Sequence, residues 1–307
     1  MEEFNKFSYL AGYVDGDGCF YLGTTIQKPK NIIVYESSIQ ILSVKPEVLY
    51  CFKENFGGYV RQKPQKLNHK TPYVWTIKNK FAFDLAKLIS DHLTDKKISS
   101  QIFIKMAHRI KPNCGISISI EEHEIRLKII NAIREEKSMN DFIDEEFVQN
   151  MKNTVQCKTP TSKDFAYFAG LMDSEGCFRI KTWKPKTKPN KVYAISIEIG
   201  NTRKPIFPFL IETFGGSIQY IHPKSKNKKP FALWTLSADA LFKILPNIYP
   251  YLISKKEVCA KLIEFQKTIL SNGGDRHSES FRILYEKTRI IRDKIIEEVH
   301  LLNSKGS

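Results

Sequence analysis

The chain has 307 residues, 42% of them hydrophobic and 12% aromatic, which is enough for a packed core in two domains or one large one and argues against disorder. No apolar run approaches the roughly 18 residues that span a bilayer, the opening Met1-Glu2-Glu3-Phe4-Asn5-Lys6 has no secretory or transit pattern, and six scattered cysteines form no CxxC pair. Against 33 acidic residues stand 48 basic ones, a net charge of +15 that points to a polyanion, most often nucleic acid; with 38 Lys to 10 Arg, most of it speaks to phosphate attraction rather than to a base code.

In chain order, residues 7–16 are apolar and rich in small residues without strand-like alternation, which predicts a helix closed by Gly18. Residues 19–27 and 33–42 are rich in Tyr, Ile, Val and Thr around the turn Lys28-Pro29-Lys30-Asn31, hence two strands. From Pro46 to Asn55 a helix places Val48, Leu49, Phe52 and Phe56 on one face. Beyond Phe56-Gly57-Gly58 come strands at 58–63 and 72–78, then helices at about 80–92, 97–109 and 121–137. Residues 139–163, carrying Asp141, Asp144, Glu145 and Glu146 and then Thr159-Pro160-Thr161-Ser162, read as a connector. A second series follows: a helix at 165–174, strands at about 178–184 and 191–200, and a helix bearing Ile206, Phe207, Leu210, Ile211 and Phe214. Strands at 216–222 and 231–236 and helices at 238–249, 256–271 and 278–302 complete it.

The second series repeats the first. Tyr9-Leu10-Ala11-Gly12-Tyr13-Val14-Asp15-Gly16-Asp17-Gly18-Cys19-Phe20 returns 158 residues later as Tyr167-Phe168-Ala169-Gly170-Leu171-Met172-Asp173-Ser174-Glu175-Gly176-Cys177-Phe178. Phe56-Gly57-Gly58 recurs at the same offset, while Trp75-Thr76 and Lys96-Lys97 recur 159 residues on. One domain has been duplicated. The expected organisation is an α+β fold of two pseudo-symmetric αββαββα domains, residues 1–138 and 164–307, joined by a linker at 139–163.

Antiparallel sheets cover one face with helices and leave the other open. The predicted hairpin tips are basic: Lys28 and Lys30; Arg61, Lys63, Lys66 and Lys70; Lys181, Lys184, Lys186, Lys188 and Lys191; Lys224, Lys226, Lys228 and Lys229. Such ribbons fit the major groove of duplex DNA. In the repeated helix, Gly12 and Gly170 each forgo about 1 kcal/mol of helix propensity relative to alanine, which close backbone contact between the two helices would offset. If those helices pack about a pseudo-twofold axis, Asp17 and Glu175 emerge together beside the sheets. Their mutual repulsion and the negative helix ends then call for a bound divalent cation. All-oxygen ligands favour a hard ion, Mg²⁺ over Zn²⁺, and such an ion against a phosphodiester activates water and stabilises the leaving oxygen.

LAGYVDGDG and FAGLMDSEG resemble the LAGLIDADG motif in duplicate, as in the monomeric LAGLIDADG homing endonucleases; Phe-Gly-Gly, Trp-Thr and the Lys-Lys pairs extend the resemblance over nearly the whole chain. It implies paired motif helices, saddle-shaped sheets on DNA, and Mg²⁺-dependent cleavage of both strands at a long asymmetric target with short 3′ overhangs. The implied role is mobility of a host intron. Mn²⁺ or Ca²⁺ is expected to substitute in binding. The metal-binding acid at the motif's eighth position falls on Asp17 and Glu175, with Gly16 and Ser174 beside them in the implied metal set; Asp15 and Asp173 read as structural. The resemblance places a basic residue near the scissile phosphate at Lys96 and Lys255. A polar residue that positions water falls at Ser43 and Asn201, with Ser43 departing from the usual amide. Implied DNA contacts are Thr25, Gln27, Lys28, Lys30, Ser38, Gln40, Arg61 and Lys63 in the first repeat. In the second they are Arg179, Lys181, Lys184, Glu198, Gln219 and Lys224. Trp75 and Trp234 are expected in the core. The expected partner is double-stranded DNA bound by a monomer in a bacterial cytoplasm or organelle matrix. An RNA maturase acting on a group I intron is the alternative, and a regulator built on a decayed nuclease is disfavoured by the retained acids.

Overall fold

A computed structural model describes residues 3–28, 32–64, 71–109, 118–138, 142–186, 191–223, 229–237, 239–270 and 279–306. Among them no helix is long and apolar enough to cross a membrane. The chain divides into two compact units: residues 1–142 with 166–174 and 203–206, and residues 143–165, 175–202 and 207–307.

In the first unit, α1 (Glu3–Asp17) leads into β1 (Gly18–Gln27), β2 (Ile32–Ser43), α2 (Pro46–Phe56), β3 (Tyr59–Gln62) and β4 (Tyr73–Lys78), then α3 (Asn79–Ile89), α4 (Lys97–Ala107) and α5 (Ile120–Ser138). The strands form one antiparallel sheet in the order β1-β2-β4-β3. Strand residues alternate by face. Phe20, Ile39 and Ile77 stand side by side on the buried face, as do Ile41, Trp75 and Val60, while Cys19, Gln40, Thr76 and Tyr59 line up on the other. The helices supply the rest of the core, with Val48, Leu49 and Phe52 from α2, Phe83 from α3 and Phe103 and Met106 from α4 all within 3% of full burial.

The second unit carries α6 (Glu145–Met151) and the start of α7 (Ser162–Ser174). Then come β5 (Gly176–Trp183), β6 (Val192–Asn201), α8 (Ile206–Phe214), β7 (Ser217–Ile221), β8 (Phe231–Ser237), α9 (Asp239–Ile248), α10 (Lys256–Leu270) and α11 (Glu279–Gly306). Its sheet has the same order, β5-β6-β8-β7, and the same register: Phe178, Ile197 and Leu236 occupy the row matched to Phe20, Ile39 and Ile77. The expected αββαββα order is therefore observed twice along the chain, although most of the second repeat's first helix, residues 166–174, belongs to the first unit. The predicted connector is not featureless, since α6 lies inside it with Asp144 as N-cap, its carboxylate accepting from Phe147 N at 2.7 Å.

The Phe-Gly-Gly signature has a local cause in both units. Gly57, Gly58, Gly215 and Gly216 all adopt positive φ, between 73° and 91°, which L side chains resist. A Cβ on Gly58 would stand 2.5 Å from the Thr76 carbonyl oxygen, and one on Gly216 2.7 Å from that of Thr235. The turn thus brings Gly57 O and Gly215 O within 2.9 and 2.8 Å of the indole N–H of Trp75 and Trp234. Both indoles are fully buried, in line with the core role expected of them.

Candidate metal-binding motif ends and nucleic-acid interface

The repeated motif helices meet within the first unit, between α1 and residues 166–174 of α7. A Cβ added to Gly12 would lie 1.9 Å from Tyr167 O and 3.0 Å from Leu171 N; one on Gly170 would lie 2.0 Å from Tyr9 O and 2.9 Å from Tyr13 N. Backbone rests on backbone at both positions, which accounts for glycine where helix propensity disfavours it.

Two buried tyrosines lock the crossing reciprocally. Tyr9 donates its hydroxyl to Asp173 Oδ2 and Tyr167 donates to Asp15 Oδ2, both at 2.7 Å. Burial and the facing carboxylate hold both phenols well above their ordinary pKa, so they remain donors. These tyrosines open the two motif copies, and their recurrence at the motif's own offset was the sequence signal for a pairing that residue type alone does not disclose.

The two acids of each motif have different fates. Asp15 and Asp173 are 1% and 4% exposed, whereas Asp17 and Glu175 are exposed. Asp15 accepts from the backbone N–H groups of Thr94, Asp95 and Lys96 at 2.7, 3.2 and 2.8 Å, and so serves the start of α4. Burial raises its carboxyl pKa against the pull of the Thr94 N–H and the Tyr167 hydroxyl. Asp17 is the last residue of α1, and Glu175 follows the last residue of α7.

Lys96 is built into the end of α1. Its ammonium donates to the carbonyls of Val14, Asp15 and Gly16 at 2.7, 2.7 and 3.0 Å, placing a cation where helix carbonyls lack partners. Burial lowers its pKa, opposed by Asp15, Asp95 and Asp17. In the second unit Lys255 donates to Gly176 O at 2.8 Å, again beside the motif's acidic end. The Gly16 carbonyl is thus shared with Lys96, keeping one further lone pair. The Ser174 hydroxyl donates back to the carbonyls of Gly170 and Leu171. Ser43 ends β2 and accepts the Tyr13 hydroxyl at 3.1 Å; Asn201 ends β6 at the matched position. Asp95 and Glu136, both buried, flank Arg203 at 3.2 and 3.1 Å in a three-residue ion cluster that no sequence pattern announced. Burial pushes the Asp95 carboxyl up to about 6 although Arg203 and Lys96 oppose it.

Exposed carboxylates flanked by backbone carbonyls are a hard, all-oxygen donor set, which fits Mg²⁺ or Ca²⁺. No group of three or more His, Cys, Asp or Glu able to hold a metal occurs among the described residues. A cation at a motif end would therefore take its remaining ligands from water and from substrate oxygens, the usual arrangement for Mg²⁺.

The implied DNA contacts share one side of each sheet. Strand register puts Thr25, Gln27, Ser38, Gln40 and Arg61 on the face opposite Phe20 and Ile39, with Lys63 just past β3. Arg179, Lys181, Glu198 and Gln219 lie on the matching face of the second sheet. Lys28 and Lys184 follow β1 and β5 directly. Lys30 and Lys224, like Lys66, Lys70, Lys188, Lys226 and Lys228, fall outside the described residues. Glu198 differs from its neighbours: it is 4% exposed and both its oxygens are engaged by cations.

Residues 168–269 match the model of the LAGLIDADG endonuclease family. Among solved structures, the I-SmaMI LAGLIDADG homing endonuclease bound to cleaved DNA is 15% identical, with 94% of this chain and 95% of that chain covered and a TM-score of 0.63. The LAGLIDADG meganuclease I-AabMI bound to uncleaved DNA is 17% identical, covering 94% and 98% with a TM-score of 0.59. I-SmaMI bound to uncleaved DNA in the presence of calcium ions is 14% identical, covering 94% and 97% with a TM-score of 0.57. No curated protein sequence matches the chain. At such identities the structural likeness speaks for the fold, and both sheets with their flanking helices share it.

Proposed function

We propose that the chain is a two-repeat member of the LAGLIDADG family and, from that premise, a site-specific, divalent-cation-dependent endonuclease that hydrolyses both strands of a long asymmetric DNA target. The observation that carries this reading is the matched fate of the motif acids: one in each copy is buried and hydrogen-bonded, and the other is exposed at the motif's end beside a lysine that caps backbone carbonyls. The basic residues around the hairpins and the open polar sheet faces supply the duplex-binding surface, and the net charge of +15 its attraction to phosphate.

In this account each motif end would hold a divalent cation, Mg²⁺ in the reaction, through Asp17 beside the Gly16 backbone in the first copy and through Glu175 beside the Ser174 backbone in the second. Bound there, the cation supplies Lewis acidity toward the phosphodiester and lowers the pKa of an attacking water. Calcium in one DNA-bound I-SmaMI structure supports a divalent site that also tolerates Ca²⁺. Lys96 and Lys255 keep positive charge next to the acids and hold the ends of the motif segments in place. Ser43 and Asn201, at the ends of β2 and β6, orient water by hydrogen bonding. Short 3′ overhangs, intron mobility and a monomeric working state belong to the same proposal.

The test is incubation of the purified protein and Mg²⁺ with a plasmid carrying the rejoined flanks of its reading frame. Linear product is expected, and intact supercoiled plasmid at all protein concentrations contradicts the proposal.

A further inference from the structure

The two open sheet faces are not equivalent, and their difference concerns what each reads. On the second sheet, Arg179 Nε and Lys181 Nζ reach from β5 to the two oxygens of Glu198 on β6, at 2.8 and 2.7 Å. The Ser196 hydroxyl adds a longer bond to the same carboxylate at 3.4 Å. The carboxylate is 4% exposed, whereas the two cationic side chains are 53% and 55% exposed. Glu198 therefore lies beneath a pair of outward cations, each oxygen engaged by one of them and the carboxylate covered from a cytosine amino group. This revises the expectation that it reads a base itself.

At the matched positions the first sheet has Tyr21, Gly23 and Gln40. There the Tyr21 hydroxyl lies where a Gly23 side chain would begin, 2.4 Å from an added Cβ, and Gln40 donates its amide to Ser38 at 2.9 Å. An aromatic ring laid along the strand and a neutral amide replace the cation pair.

Arginine has five N–H donors in a rigid fork. Donating Nε to Glu198 restrains the plane of the Arg179 guanidinium, and with the side chain 53% exposed its Nη1–Nη2 edge remains available to a ligand. That edge matches O6 and N7 of guanine in the major groove, the commonest specific protein–DNA contact. We propose that Glu198 is a positioning residue that presents Arg179 for guanine readout. The half-site covered by the second sheet then requires a guanine at one position where the half-site of the first sheet does not. This inference rests on the DNA-binding reading above and names its base specificity.

The test is selection of bound duplexes from a randomised library in Ca²⁺, sequenced for the wild type and for Arg179→Ala and Glu198→Gln, with thermal melts as a folding control. The wild type should enrich one half-site guanine that Arg179→Ala releases, by roughly 5- to 100-fold in preference, the worth of one bidentate contact. Glu198→Gln, still able to accept from one cation but not to neutralise both, should relax the same position by a smaller factor with the melting temperature within a few degrees of the parent. Every other position should keep its preference in both variants. An unchanged guanine preference in Arg179→Ala, or a uniform loss across all positions in Glu198→Gln, overturns this proposal while leaving DNA binding intact. No enriched sequence with the wild type overturns both it and the reading on which it rests.

Discussion

Substituting Gly12 by alanine asks whether the motif helices are held by backbone contact. Alanine would gain about 1 kcal/mol of helix propensity. Its Cβ, however, would stand 1.9 Å from Tyr167 O where ordinary contact begins at 3.4 Å, a shortfall of about 1.5 Å against main chain that cannot rotate away. Parting the helices by that distance stretches the 2.7 Å bonds Tyr167–Asp15 and Tyr9–Asp173 past hydrogen-bonding range. Each is a buried bond to a charged acceptor, worth roughly 1.5–3 kcal/mol. The net expectation is a loss of about 2–5 kcal/mol, a large part of the roughly 5–15 kcal/mol by which proteins are usually stable. Denaturant titration followed by tryptophan fluorescence, to which buried Trp75 and Trp234 contribute, measures it. Gly170→Ala, whose Cβ would meet Tyr9 O at 2.0 Å, should behave alike, whereas Gly200→Ala, with 3.4 Å to the Phe231 ring, should cost less than about 1 kcal/mol. A Gly12→Ala protein as stable as its parent would refute the close-contact argument.

Tyr167→Phe removes one donor from buried Asp15 and should lower stability by about 1–3 kcal/mol, read from the same titration. Lys96→Met leaves three carbonyls at the end of α1 without their ammonium and should cost about 2–3 kcal/mol; an unchanged denaturation midpoint would show that the capping contributes nothing. Asp95, raised to about 6 by burial, binds its proton more tightly folded than unfolded. Its contribution is therefore fully present below about pH 4 and lost as pH rises through about 6, so Asp95→Asn should flatten the pH dependence of the melting temperature over that window. A profile as steep in the variant as in the parent would assign the titration elsewhere.

Much of this was legible because repetition doubles every local signal. Phe-Gly-Gly and Trp75 recur at nearly one offset because each turn needs two left-handed residues whose carbonyl receives an indole, and such constraints act over few residues. Strand faces could be phased from alternation, and the register agrees with that phase for Thr25, Gln40, Arg61 and Gln219. What stayed hidden depends on side-chain direction and long-range packing. Lysine at 96 looks the same in sequence whether it faces a phosphate or caps α1, and only the fold brings its ammonium to Val14, Asp15 and Gly16. Glu198 has the alternation of a reader but the rotamer of a support. The cluster of Asp95, Glu136 and Arg203 joins residues from three distant segments of the chain, and helix α6 is too short for apolar periodicity to mark it inside a polar connector.

The central claim, that the exposed motif acids hold the catalytic cation, is tested most directly by separating binding from cleavage on a target the wild type cuts. Asp17→Asn and Glu175→Gln should bind that duplex in Ca²⁺ within a few-fold of the wild type, yet lose double-strand cleavage in Mg²⁺ by at least about 100-fold. Cleavage at near wild-type rates in both variants would contradict the assignment and move the chemistry to other residues.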